Sequence, residues 1–289
     1  VVTRLVVDRE NEIKAFNSEQ YWNIDAIFAN GQKRYSARFH GTDKKKIVPS
    51  SEDEVKKIVA ELDGKDYIVS SVKKQEKTRS PRPPFTTSSM QQDASARLNM
   101  RPATTMRVAQ ALYEGVEIKG MGLVGLITYM RTDSLRISAE ASAAAETFIK
   151  SEYGNEYAPE KPVFYKTKAG AQDAHEAIRP TDVFLTPERI KDSLTSEQYR
   201  LYKLIWSRFT ASRMSPAVYD VQTADITAGK YIFKGSDSVV RFKGFTCLYD
   251  DGDAEEKGGK YPDLNEGDKL NFKQLKTEQK FTQPPSRYT

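Results

Sequence analysis

The sequence is short of the residues that make staples and metal cages. Among 289 residues there is one cysteine, Cys247, and there are two histidines, His40 and His175. A lone thiol excludes a disulfide framework and a thiolate metal cage. Two imidazoles leave little from which to build a histidine-rich metal centre. No apolar run reaches the ~18 residues that a membrane-spanning helix needs. No apolar stretch of the secretory kind follows Val1-Val2-Thr3-Arg4, and the missing initial Met reads as a piece of a longer chain. No Walker A sequence is present, so nothing argues for ATP use. These absences together lead us to expect a soluble, intracellular protein.

What is there is polar. Hydrophobic residues are 38% and charged residues 29%, with a mean hydropathy of −0.65. That favours an open, surface-rich shape over one large core, and the length allows one to three domains. The net charge of +5 and a pI near 9.0 permit a nucleic-acid partner without requiring one. One basic cluster stands out, Lys73, Lys74, Lys77, Arg79 and Arg82 around a single Glu76. It fits a solvated edge strand or linker as well as it fits a phosphate contact.

Residues 1–16 have helical spacing and read as a stub of a further domain. Tyr21–Phe28 and Tyr35–Phe39 alternate as strands around Asn30-Gly31, a tight-turn pair. Ser51-Glu52-Asp53-Glu54 fits a capping box, with Val55, Ile58, Val59 and Leu62 on one helical face. Asp66–Lys74 reads as a strand. Pro81-Arg82-Pro83-Pro84 is a stiff boundary. Beyond it, helices are expected from Thr87 or Ser88, from about Thr104, from Ser138, at Thr186-Pro187 and from the box Thr195–Gln198. After Pro216 strands return over Ala217–Thr227, Lys230–Phe233, Val239–Phe242 and Lys269–Leu275. The expectation is a multidomain α and β chain. An all-α domain, residues 80–212, is inserted into a β-rich domain made of residues 17–79 and 213–282, and residues 283–289 form a second stub. Two crossings between the lobes would make a natural hinge.

Two motifs are set aside. Gly120–Gly125 matches G-x-G-x-x-G, but a helix precedes it and β-prone residues follow, the reverse of a dinucleotide site; a flexible loop is expected. Asp251-Gly252-Asp253-Ala254-Glu255 could hold a hard cation after a strand ending at Cys247-Leu248-Tyr249. Its glycine- and lysine-rich setting reads instead as an acidic hairpin tip.

Leu126–Ser134 is the informative stretch. If extended, it places Tyr129, Arg131 and Asp133 on one face. A phenol can be a covalent nucleophile, and a guanidinium can grip phosphate oxygens as a bidentate fork. At a reference pKa of ~10 little phenolate exists at neutral pH, and a nearby cation favours it. Spacing alone leaves ordinary readings open. Tyr129 is one of 15 tyrosines, Arg131 could pair with Asp133, and Asp133 or Ser134 could be a turn residue.

The stretch Gly125-Leu126-Ile127-Thr128-Tyr129-Met130-Arg131-Thr132-Asp133-Ser134 resembles the active-site signature of type IA DNA topoisomerases. Gln172-Asp173-Ala174-His175-Glu176-Ala177-Ile178-Arg179-Pro180 resembles the same family's histidine motif. Arg4–Arg9, Pro84–Gln92, Leu201–Val218 and Pro284–Thr289 also match, in family order. Met130 is similar to the bacterial topoisomerase I branch, where the topoisomerase III branch usually has Pro. The resemblance implies that Tyr129 attacks single-stranded DNA to give a 5′-phosphotyrosine, that Arg131 stabilises the phosphate, and that His175 contacts the scissile region. Asp133 would organise Arg131. Trp206, Arg208 and Arg213 could meet DNA, although a packed helix face would also explain Trp206. The resemblance further implies Mg²⁺ held by an acidic Toprim domain outside this chain, and C-terminal domains beyond it. It places the protein in the bacterial cytoplasm at the nucleoid, with DNA as partner and no membrane. A noncatalytic DNA-binding or scaffolding module of the same fold is the alternative.

Overall fold

A computed structural model of the chain describes residues 2–31, 33–165, 175–249 and 261–288. Two compact units emerge. One holds residues 1–76, 220–239 and 256–289; the other holds 77–219 and 240–255.

The first unit is built on an antiparallel hairpin, β1 (Gln20–Asn30) and β2 (Lys33–Thr42). Gly31 in its turn has φ +58°, a conformation that costs glycine little. The six-stranded sheet runs β3-β6-β7-β2-β1-β8, with β3 Ile68–Arg79, β6 Ala217–Ala228, β7 Tyr231–Phe242 and β8 Phe272–Phe281. β3, which carries much of the basic cluster, is an edge strand, and its Lys74 pairs with Asp263. Ile24, Ala26 and Phe28 of β1 and Tyr35, Ala37 and Phe39 of β2 point to one core. Val55, Ile58 and Leu62 of helix α2 (Glu52–Leu62) join it. Ser51 caps α2 by accepting from the Glu54 amide, while Glu54 reaches back to Ser50 rather than Ser51. The box expected there is therefore displaced by one residue on one side. The first helix, α1 (Val2–Ala15), buries none of its residues; its Glu10 pairs with Arg287 and its Arg9 donates to the Ser286 carbonyl.

The second unit contains α3 (Thr87–Leu98), α4 (Pro102–Glu114), α5 (Ala139–Glu152), α6 (Pro187–Ile190) and α7 (Ser196–Ser212). It is not all-α as expected. A small antiparallel hairpin, β4 (Val116–Ile118) and β5 (Gly122–Val124), lies within it. The glycine-rich motif is this hairpin's turn, with Gly120 at φ +83° and Gly122 at φ +76°. No helix follows it before residue 139. The expected strand ending at Tyr249 is instead a 3₁₀ turn, Gly244–Cys247. Gly244 has φ +48° there, and a Cβ would come within 2.4 Å of the Pro216 carbonyl oxygen. Phe245 is buried in the helical core, which draws this stretch to the second unit. The Asp251–Glu255 cluster lies outside the described residues.

Local chemistry sets the helix starts. Thr86, one residue earlier than expected, caps α3 in a box completed by Ser89. Pro102 opens α4, and Thr195 with Gln198 boxes α7 as expected. A buried polar network joins α3 to α7. Arg208 donates to Asp93 (3.3 Å), to the Pro83 carbonyl (2.7 Å) and to the Tyr249 hydroxyl (3.2 Å). The Tyr249 hydroxyl also bonds Asp93.

Two outcomes follow from this packing. Removing one partner of a buried ion pair strands the other, so Asp93→Ala is expected to cost about 3–5 kcal/mol in urea unfolding, and Asp93→Asn less. Burial pushes the Tyr67 and Tyr165 phenols up to about 12. Tyr67 is 1% exposed and its hydroxyl has no partner. Their folded pKa values lie above the unfolded value, so the neutral phenols favour the folded state. That stability is fully present below pH ~10 and is lost as pH rises through about 12. Denaturation midpoints measured across the alkaline range should decline over that window.

Candidate functional site

Exposure alternates along the segment that follows β5. Met130, Thr132 and Ser134 are buried, whereas Tyr129, Arg131 and Asp133 are exposed. The period-two face expected from the sequence is present. Yet the segment is not a sheet strand; it is tied to its neighbours by an isolated bridge, Ile127 to Pro180, and by side chains.

Its entry is tight. The Leu126 amide donates to the Leu112 carbonyl near the end of α4 (2.8 Å). A Cβ at Gly125 would stand 2.8 Å from the Tyr113 carbonyl oxygen, too close for any other residue without a shift of backbone. Thr128 then fastens the chain to the histidine motif. Its amide donates to the Arg179 carbonyl (2.9 Å). Its hydroxyl donates to the Ala177 carbonyl (2.7 Å) and accepts from the Arg179 amide (3.0 Å). On the other side stands Thr87, the first residue of α3. Its hydroxyl donates to the Met130 carbonyl (2.7 Å) and accepts from the Thr132 amide (2.9 Å). Phe85 extends the seam by accepting from the Ile178 amide (2.8 Å).

These ties bring Tyr129 and His175 together, with ring centroids 5.6 Å apart. Tyr113 of α4 packs edge-on against the Tyr129 ring at 5.4 Å. Tyr129 remains 38% exposed. His175 also lines an open cleft of about 510 Å³ with Arg131, Asp133, Thr86, Thr87 and Ser88. Behind His175, Glu176 accepts from two nitrogens of Arg179 (2.6 and 3.1 Å), and its second carboxylate oxygen is buried with no hydrogen-bond partner.

Arg131 and Asp133 share the cleft, and among the described residues they do not form the direct ion pair that spacing left open. The Arg131 guanidinium is thus available for a ligand. Beside it lies the N-terminus of α3, where amide dipoles favour negative charge. A cation, an imidazole and hydroxyls around one opening suit a phosphodiester. They do not suit a divalent metal. Among the described residues lining the cleft Asp133 is the one carboxylate, and no group of three or more His, Cys, Asp or Glu gathers anywhere among them.

Three residues that could have met DNA are interior, as the packed-face alternative for Trp206 had it. Trp206, Arg208 and Arg213 are 4%, 5% and 7% exposed. The Trp206 indole donates to the Val183 carbonyl (2.8 Å), Arg208 joins the Asp93 network, and Arg213 donates to the Val163 carbonyl. Conversely, Tyr113 and the clamping hydroxyls of Thr87 and Thr128 were not singled out by sequence reasoning. The two threonines lie inside family-like motifs, a usable signal; Tyr113 carried none.

A family model described as DNA topoisomerase matches residues 1–289. Among solved structures, full-length topoisomerase I from Thermotoga maritima is similar with a TM-score of 0.82 and 36% sequence identity, covering 99% of this chain and 45% of that one. The chain spans less than half the length of that relative. On the match over its full length, borne by the same fold, the chain belongs to the type IA DNA topoisomerase family.

Proposed function

We propose that this chain is the central, nucleophile-bearing part of a bacterial type IA topoisomerase that relaxes negatively supercoiled DNA. In this reading the helical unit is a nucleophile domain carried by a β-rich hinge domain. The Tyr129 phenol oxygen attacks the phosphorus of a phosphodiester in a single-stranded segment. A phosphorus–tyrosine ester forms as the bond to the 3′ oxygen breaks. The phenol gives up its proton, and the 3′ oxygen leaves as a hydroxyl after taking one up. Another strand passes through the break, and the reverse attack reseals it. One ester replaces another, so no ATP is consumed.

The observation that carries the proposal is the exposed Tyr129 beside His175, with an uncommitted Arg131 in the adjoining cleft. Arg131 would hold the nonbridging oxygens and offset charge that builds on them. His175 would contact the same phosphate or its neighbour, next in sequence to the Glu176–Arg179 pair. Asp133 remains a supporting candidate at the cleft wall. Mg²⁺ would neutralise phosphate charge from an acidic Toprim domain outside this chain, and further C-terminal domains would complete the DNA path. The protein would work in the bacterial cytoplasm, at the nucleoid, and these 289 residues alone would not relax supercoils.

The test compares full-length protein with variants. Tyr129→Phe is expected to abolish the covalent DNA adduct while leaving DNA binding intact, and Arg131→Ala to slow adduct formation by about 10²–10³. Adduct formation unchanged in Tyr129→Phe would mean a noncatalytic DNA-binding or scaffolding module, or a different nucleophile.

A further inference from the structure

We infer that Thr87 is a positioning residue for Arg131, holding the peptide groups on both sides of the guanidinium-bearing residue. The inference rests on the reading of Tyr129 and Arg131 just proposed. Three hydrogen bonds carry it. The Thr87 amide donates to the Thr132 carbonyl (2.9 Å), its hydroxyl donates to the Met130 carbonyl (2.7 Å), and the same hydroxyl accepts from the Thr132 amide (2.9 Å). Arg131 is the residue between.

This is not helix capping under another name. The cap of α3 is Thr86, whose hydroxyl accepts from the Ser89 amide (3.3 Å), and Ser89 returns the bond to the Thr86 amide (2.9 Å). The side-chain cap is supplied by Thr86, and the neighbouring Thr87 hydroxyl bonds to the site segment instead. Nor is it filling for a sheet ladder, because residues 130–132 belong to no strand. Met130 and Thr132 are buried beneath the exposed Arg131, and their peptide groups need partners there. One hydroxyl, acting as donor and acceptor at once, supplies two of them.

The consequence is directional. Among the described residues Arg131 has no ion-pair partner to steer its side chain, so its Cα position and the peptide planes on either side set where the guanidinium can reach. Those planes are fixed by Thr87. A guanidinium displaced by about an ångström from its working position can cost on the order of 10²-fold in rate. Thr87 stands at the wall of the same cleft, and with its hydroxyl bonded to the backbone on both sides of Arg131 it acts by deciding where the phosphate-binding group stands.

The experiment is a double-mutant cycle in the full-length protein, read as the single-turnover rate of covalent adduct formation on a single-stranded oligonucleotide. Affinity for the same oligonucleotide and a thermal unfolding curve accompany each variant. Thr87→Val keeps shape and removes the hydroxyl; it is expected to slow adduct formation about 10- to 100-fold with affinity little changed. Thr87→Ser keeps the hydroxyl and is expected to recover most of the rate. On an Arg131→Ala background, Thr87→Val is expected to add no further slowing, because the group being positioned is gone. If Thr87→Val does not fold, Thr87→Ala, which demands less space, enters the same cycle. Equal slowing on both backgrounds would overturn the inference, since the hydroxyl would then serve the fold alone. A wild-type rate in folded Thr87→Val would overturn it too. Persistence of the adduct in Tyr129→Phe overturns the reading of the site itself, and the positioning role with it, so the two failures are told apart.

Discussion

Two threonine hydroxyls, each donating one hydrogen bond and accepting another, hold the segment on which everything else at this site depends. Thr128 bonds forward to residues 177 and 179, and Thr87 bonds to residues 130 and 132. Three stretches far apart in the chain are thereby laced into one layer without a β-ladder. A ladder would have paired the peptide groups on its own but would also have placed a neighbouring strand along the segment's edge. Pairing through side chains leaves that edge open. The alternation of buried and exposed residues survives because backbone demand is met from below, and the exposed set, Tyr129, Arg131 and Asp133, faces outward without a covering strand.

The layer in turn needs α3 to stay still. Its N-terminal residue holds the site segment, and its middle is anchored by Asp93 to Arg208 and Tyr249. Arg208 is well suited to this, because a planar guanidinium can serve a carboxylate, a carbonyl and a phenol at once and stack on rings. It lies 4.9 Å over Phe85 and 5.2 Å over Tyr249. Burial of three such donors explains why a basic, aromatic helix turned out to be structural. In one dimension a cation that binds DNA and a cation that braces a core look the same, and only the count of internal acceptors around each one separates them.

What could be read from the sequence was local. Helix starts at Ser51, Ser138, Thr186 and Thr195 follow from a side chain reaching an amide two or three residues on, so short windows reveal them. The Asn30-Gly31 turn and the alternation through residues 129–134 are equally short-range. What escaped was set from outside. Lys230–Phe233 and Val239–Phe242 read as two short strands, but Tyr231–Phe242 forms one continuous strand because β2 and β6 flank it and pair with it. The 3₁₀ turn at Gly244 is imposed by close approach to Ser215 and Pro216. The all-α expectation failed on a hairpin of three-residue strands, too brief to leave a period. Tyr129 and His175 lie 46 positions apart, and no spacing rule joins them. Motif resemblance named both, and the Thr128 clamp is the physical reason they meet.

Not all arginines of the second unit are committed, and the contrast bears on what the cleft is for. Arg179, Arg208 and Arg213 each donate to acceptors inside the protein. Among the described residues Arg131 does not, although Asp133 is two residues away on the same face. Its neighbours add to the positive potential of the cleft. The first turn of α3 opens on the same cleft, so a full positive charge and the positive end of a helix dipole share one space with one carboxylate. Both features favour an anion in the cleft. In the proposed reading, an Arg131 with no ion-pair partner among the described residues is a cation kept for the phosphate, and the hydrogen bonds beneath the segment hold its backbone in place.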